Sequence, residues 1–112
     1  MQKRSSARSM FRIDKFNVPA SARSEFLAKA SGTHRLLETL DGCLQSLILE
    51  HVSGSGEFNF VTIVEWDSAE SFEKARTAAA ARQKEANFNP QDLFARLKIK
   101  ADLANYSSCE VA

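Results

Sequence analysis

The hairpin within residues 43–66 constrains this chain most. Two segments, residues 43–52 (CLQSLILEHV) and 58–66 (FNFVTIVEW), flank Ser53-Gly54-Ser55-Gly56. A strand, a glycine-rich turn and a second strand read as a β-hairpin. Side chains alternate between the two faces of a strand. In the second segment Phe58, Phe60, Thr62, Val64 and Trp66 therefore share one face, and Asn59, Val61, Ile63 and Glu65 the other. In the first segment Leu44, Ile48 and Val52 lie opposite Leu47 and Leu49. Both faces carry large apolar groups. A sheet built on this hairpin needs a cover on each side.

One cover is legible in the flanking sequence. Residues 10–16 (MFRIDKF) alternate, with Phe11 and Ile13 on one side and Arg12 and Asp14 on the other. They predict a first strand, ended at Val18-Pro19. From Ser21, an expected N-cap, the period changes to that of an amphipathic helix with Ala22, Phe26, Ala30, Leu37 and Leu40. Gly32 is expected to bend this helix, Thr33 to cap a second segment, and Asp41-Gly42 to end it. After the hairpin, Asp67 with Glu70 predicts a capping box opening a second helix, whose inner face holds Phe72, Ala75, Ala79 and Ala86. Asn89-Pro90-Gln91-Asp92 restarts a short helix with Leu93, Phe94 and Leu97. Residues 98–109 read as the last strand, with Tyr106 opposite Ile99, Ala101 and Leu103.

The order is β-α-β-β-α-α-β. This is the split-βαβ, ferredoxin-like pattern of an α+β domain. Right-handed crossovers give a four-stranded antiparallel sheet of order 4-1-3-2 with the helices on one face. The 112 residues suffice for one such domain, expected over residues 10–112. Two helices cover one sheet face only. The second is expected to meet the same face of another copy, making a homodimer.

Composition removes several function classes. Apolar residues make up 44% and no apolar run approaches the roughly 20 residues a bilayer span needs. The net charge of +1 lacks the basic excess of a nucleic-acid binder. Residues 1–9 hold Lys3, Arg4 and Arg8 among serines without an apolar core, and read as a flexible N-terminus rather than a short transit peptide. Cys43 and Cys109 belong to no metal-type cluster, and a cytoplasmic protein with reduced thiols is the expectation. In the 4-1-3-2 order they sit on opposite edges, too far apart for a disulfide. Nucleotide loops, zinc motifs and nucleophile elbows do not occur in the sequence.

The stretch Gly42-Cys43-Leu44, followed by residues 58–66 running into Asp67-Ser68-Ala69-Glu70-Ser71-Phe72, resembles the antibiotic biosynthesis monooxygenase family of dimeric α+β barrels. Phe88-Asn89-Pro90, Leu97, Ile99, Asp102 and Tyr106 look like a branch of that family with an additional short helix. The resemblance implies a cofactor-free oxygenation of a small aromatic or quinol-like compound between helices and sheet. It implies no metal and no cofactor. Trp66 matches the family tryptophan. Four residues earlier, where well-known members carry asparagine, stands Thr62. Six residues later, where an aromatic hydroxyl is expected, stands Phe72. A late helix arginine corresponds to Arg82 only with a shift of register. The heme-degrading branch would place a histidine near Arg76-Thr77 and an asparagine near Arg12-Ile13-Asp14, so no heme is expected. The same fold also serves non-catalytic proteins, and a ligand-binding dimer without turnover stands beside the oxygenase.

The candidate catalytic residues are His34, Thr62 and Trp66. His34 follows Ala30 by one turn and could serve as a base near neutral pH. The candidate substrate wall is Phe26, Phe60, Thr62, Val64, Trp66 and Phe72. Arg12 with Asp14 reads as a mutual or cross-dimer ion pair. His51 reads as an exposed residue near the turn, and Tyr106 as an interface residue. Lys74, Arg76, Arg82, Lys84 and Glu85 read as a solvated helix face.

Overall fold

The structure, a computed structural model, describes residues 8–109. Strand β1 spans Met10–Asn17, helix α1 Arg23–Leu37, strand β2 Cys43–Glu50 and strand β3 Phe60–Trp66. Helix α2 spans Ala69–Glu85, helix α3 Pro90–Leu97 and strand β4 Lys100–Ser107. The sheet order is β2-β3-β1-β4, all pairs antiparallel, which is the predicted order read from its other edge. Of the segment expected to be flexible, residues 1–7 lie outside the described residues. Ser9 is buried and donates to Glu65 at 2.7 Å.

Register divides the sheet into two faces. Arg12 opposes Val64, Asp14 opposes Thr62 and Phe16 opposes Phe60, so these six side chains point to the helix side. Phe11, Ile13, Val61, Ile63, Leu47 and Leu49 occupy the far side. A bulge between Cys43 and Gln45 holds this phase while adding Leu44 to β2.

Two apolar clusters tie the helices down. Phe16, Val18, Ala22, Phe26, Phe60 and Ile99 form one, against which Phe94 and Leu97 of α3 pack. Its rings meet at 5.0 Å (Phe16–Phe26), 5.1 Å (Phe26–Phe60) and 5.7 Å (Phe16–Phe94), spacings at which aromatic pairs attract beyond simple burial. Cys43, Val64, Trp66, Phe72 and Ala75 form the other, below α2.

Several local expectations shift. Ser21 does not cap α1; a 3-10 turn at Ala20–Ala22 follows Pro19 and feeds the helix, whose N-cap is Ala22. Gly32 does not interrupt α1 and Thr33 opens no second segment: the helix runs unbroken through both, from Arg23 to Leu37. The helix stops at Leu37, and residues 38–40 turn instead of continuing to Asp41. The cap of α2 is Ser68, which accepts from Ser71 N at 3.2 Å. Asp67 is held back because its N–H donates to Gly42 O at 2.8 Å, extending the β2–β3 edge by one residue. Strands β2 and β3 are shorter than the expected 43–52 and 58–66, since His51 and Asn59 already belong to the turn region. Strand β4 begins at Lys100, not at 98, because Lys98 takes a left-handed conformation (φ 58°) that ends α3. Cys43 opens β2 and Cys109 follows the end of β4, the two edge strands of the sheet, and they form no disulfide with each other.

Candidate functional site

Between the helices and the sheet lies a cavity of about 360 Å³. That volume is in the range of small-molecule pockets. It exists because α2 meets β3 through Phe72 and Ala75 at one end, while α1 and α3 meet the sheet through Phe26 and Phe94 at the other. The small residues Ala30, Ala75 and Ala79 leave the middle open.

The floor comes from alternate residues of the two central strands. Strand β3 supplies Thr62, Val64 and Trp66, and β1 supplies Arg12, Asp14 and Phe16. Trp66 is 2% exposed and Thr62 6%, so both are fixed by packing. Arg12 Nε donates to Asp14 Oδ1 at 2.7 Å, and the guanidinium stands 6.0 Å from the Phe72 ring centre. Burial raises the Asp14 carboxyl above its ordinary value, although the charge and hydrogen bond of Arg12 act in the opposite direction. The ion pair is thus a costly feature of an otherwise apolar floor.

His34 joins the wall from α1 and is 8% exposed. Its Nδ1 is shut off from solvent and has no hydrogen-bond partner among the described residues. Burial pushes its imidazole below the ordinary 6.5, with Glu38 opposing. A second, smaller recess on its other side holds Ser46 and Glu38, whose side chains bond to each other at 2.9 Å. The rim carries Lys29, Thr33, Arg76, Gln83 and Phe88, with Lys29 Nζ 4.3 Å from the Phe88 ring centre.

Of the residues singled out in the sequence, the fold brings Phe26, His34, Thr62, Val64, Trp66 and Phe72 onto this one cavity. Phe60, at 1% exposure, lies in the core beside Phe26 and is absent from the cavity wall. Arg12 and Asp14 pair with each other within one chain. His51 sits at the turn with its Nε2 3.0 Å from Gly54 O. Tyr106 pairs with Phe11 on the far face. Arg76, assigned from sequence to a solvated face, is exposed yet also lines the cavity, together with Phe72, Ala75 and Ala79 of the same helix. The contributions of Lys29, Gln83, Phe88, Pro90 and Leu93 were not singled out as cavity residues; they come from how α1, α2 and α3 converge, which no local spacing encodes.

Arg76 and Thr77 occupy the stretch where the resemblance to the heme-degrading branch would place a histidine, and His34 is the one histidine among the residues lining the cavity. Among the described residues no group of three or more His, Cys, Asp or Glu side chains could hold a metal ion. No helix of the described residues is long and apolar enough to cross a membrane.

The fold has close relatives among solved structures. A Deinococcus radiodurans protein assigned as an antibiotic biosynthesis monooxygenase superposes with a TM-score of 0.70 at 16% identity, over 92% of this chain and 95% of that one. SnoaB, a cofactor-independent oxygenase from Streptomyces nogalater, gives 0.67 at 16% identity, over 94% and 97%. MhuD, a heme degrader from Mycobacterium tuberculosis, gives 0.66 at 24% identity, over 92% and 99%. A search of curated proteins finds no match. The family model for antibiotic biosynthesis monooxygenase matches residues 10–85, from the first strand through α2 and so most of the cavity wall. This chain belongs to the antibiotic biosynthesis monooxygenase family.

Proposed function

We propose that this protein is a homodimeric, cofactor-independent monooxygenase acting on a small aromatic or quinol-like compound held in the helix–sheet cavity. The observation that carries this reading is the cavity itself. Aromatic and aliphatic walls from Phe26, Val64, Trp66 and Phe72 surround a few polar groups, Thr62, His34 and the Arg12–Asp14 pair. Flat apolar rings suit such walls, and the polar groups orient a hydroxyl or carbonyl. The likeness of fold to a cofactor-independent oxygenase supports the same reading.

An electron-rich substrate supplies the chemistry. An anthrone loses a proton from its methylene and the carbanion gives electrons to oxygen. The methylene carbon becomes the quinone carbonyl, one oxygen atom enters the product and the other leaves as water. The protein holds the ring against Trp66 and excludes water. In this reading the Arg12 guanidinium, on the cavity floor beside Asp14, is the group that stabilises the anion.

The homodimer reading rests on the far sheet face. Leu47, Leu49 and Tyr106 are 41%, 46% and 44% exposed there, with Ile63 and Val61 between. Such a patch is typical of an interface between copies.

A second reading has its own observation. Phe72 presents no hydroxyl to the cavity and Thr62 presents a hydroxyl where the family's oxygenases have an amide, so a ligand-binding dimer without turnover is the alternative. Oxygen uptake with a panel of anthrones and quinols decides between them. The oxygenase reading predicts turnover with at least one compound, reduced about tenfold or more in Trp66→Phe and Thr62→Ala. No uptake with any compound, while the same compounds bind, supports the second reading.

A further inference from the structure

We infer that the ligand of this cavity is an aromatic acid, with its rings between the helices and sheet and its carboxylate at the rim beside Lys29 and Arg76. The inference rests on the proposed ligand site and adds the charge of the molecule that fills it. Three cations line the cavity, one from each of three elements: Arg12 of β1 on the floor, Lys29 of α1 and Arg76 of α2 at the rim. A single carboxylate, Asp14, faces them, and it is already engaged by Arg12 at 2.7 Å.

The rim cations are not equally committed. Arg76 bonds Glu73 at 2.8 Å in a pair more than half exposed on both sides, an arrangement of little energetic weight. Lys29 forms no salt bridge among the described residues; Glu25, one turn away, is bonded by Arg96. Lys29 instead stands over Phe88, itself a wall residue, so its ammonium is placed where an aromatic guest would enter. A cation that rests on a wall ring rather than on an acid can turn to a guest's carboxylate without losing an ion pair. Charges of one sign beside low-dielectric walls also concentrate anions at the opening.

The test compares 2-naphthoate with its neutral isostere 2-naphthamide by titration calorimetry at low ionic strength. The two share ring and shape, and the amide replaces one charged carboxylate oxygen by an uncharged NH2. The expected result is about tenfold tighter binding of the acid, shrinking as salt is added, since two partly exposed contacts of this kind sum to that order. In Lys29→Gln/Arg76→Gln the ratio should fall to about one, and in Lys29→Glu/Arg76→Gln the amide should bind the tighter. Both changes are at exposed positions, so folding is retained, and a thermal melt verifies it. Equal binding of acid and amide by the unaltered protein, or a preference unmoved by the substitutions, overturns the inference while leaving the cavity as the ligand site. Binding of neither compound overturns both.

Discussion

At the scale of single residues, the site gathers polar groups under constraint. His34 is the clearest case: a nearly buried ring whose Nδ1 has no partner and whose proton affinity is lowered by burial. The sign of its effect on stability follows. Between its depressed folded pKa and the ordinary 6.5 the unfolded chain binds a proton that the native one does not. The native state is therefore fully favoured above about 6.5 and loses stability as pH falls through that window. Replacing His34 with Leu should remove this dependence and, by removing an unsatisfied buried nitrogen, stabilise the fold by about 1 kcal/mol at pH 7. Denaturant melts of both proteins at pH 7.5 and 5.5 check it: the gap between them should widen at the lower pH. How residues become partners was partly legible in the sequence. Thr62, Val64 and Trp66 share a face by simple alternation, and β3 delivers them together. Lys29 and Phe88 are far apart in the chain, and their meeting depends on helix placement that no spacing rule reports.

At the scale of elements, alternation and helical period identified every strand and α-helix; apart from the break expected at Gly32, the errors gathered at their ends. The reason is visible at the β3–α2 corner. Asp67 and Ser68 are both good caps by type, and the choice between them is made by a hydrogen bond from Asp67 N to Gly42 O on another strand. Lys98 shows the same limit, since a lysine in the left-handed region carries no sequence signature. The β3–α2 corner also makes Gly42 the most constrained glycine of the fold. Its φ is +88°, and an added Cβ would lie 2.5 Å from Ser71 Cβ and 2.9 Å from Asp67 Oδ1. Ser71 Oγ donates to that same Asp67 oxygen at 2.6 Å, so neither neighbour can step aside without breaking the corner. Gly42→Ala should cost about 2 kcal/mol or more, measured by urea denaturation, whereas Gly32→Ala on the open side of α1 should stabilise slightly. Because the corner sets the height of Trp66 and Phe72 over the cavity, the first substitution should also weaken ligand binding.

At the scale of the whole molecule, the sheet assigns its two faces to different work. The helix side is closed over a cavity by α1, α2 and α3, and the far side presents Leu47, Leu49, Ile63 and Tyr106 to whatever lies beyond. The hairpin announced this division before any fold was known, since both its faces are apolar. Alternation alone does not say which face is which; the expectation put Thr62, Val64 and Trp66 under the helices and Val61 and Ile63 on the far side, and the helices do cross the face of the first three. Within the far face Glu65 is 1% exposed, held by Ser9 and Gln45 at 2.7 Å each, so the apolar surface around it is not broken by a solvated charge. In the proposed homodimer this face is covered by a second copy, leaving each cavity to a ligand. Multi-angle light scattering at micromolar concentration tests it most directly. The expected species has twice the 12.4 kDa chain mass and is converted toward monomer by Leu47→Glu/Leu49→Glu; a 12.4 kDa species from the unaltered protein would rule the homodimer out.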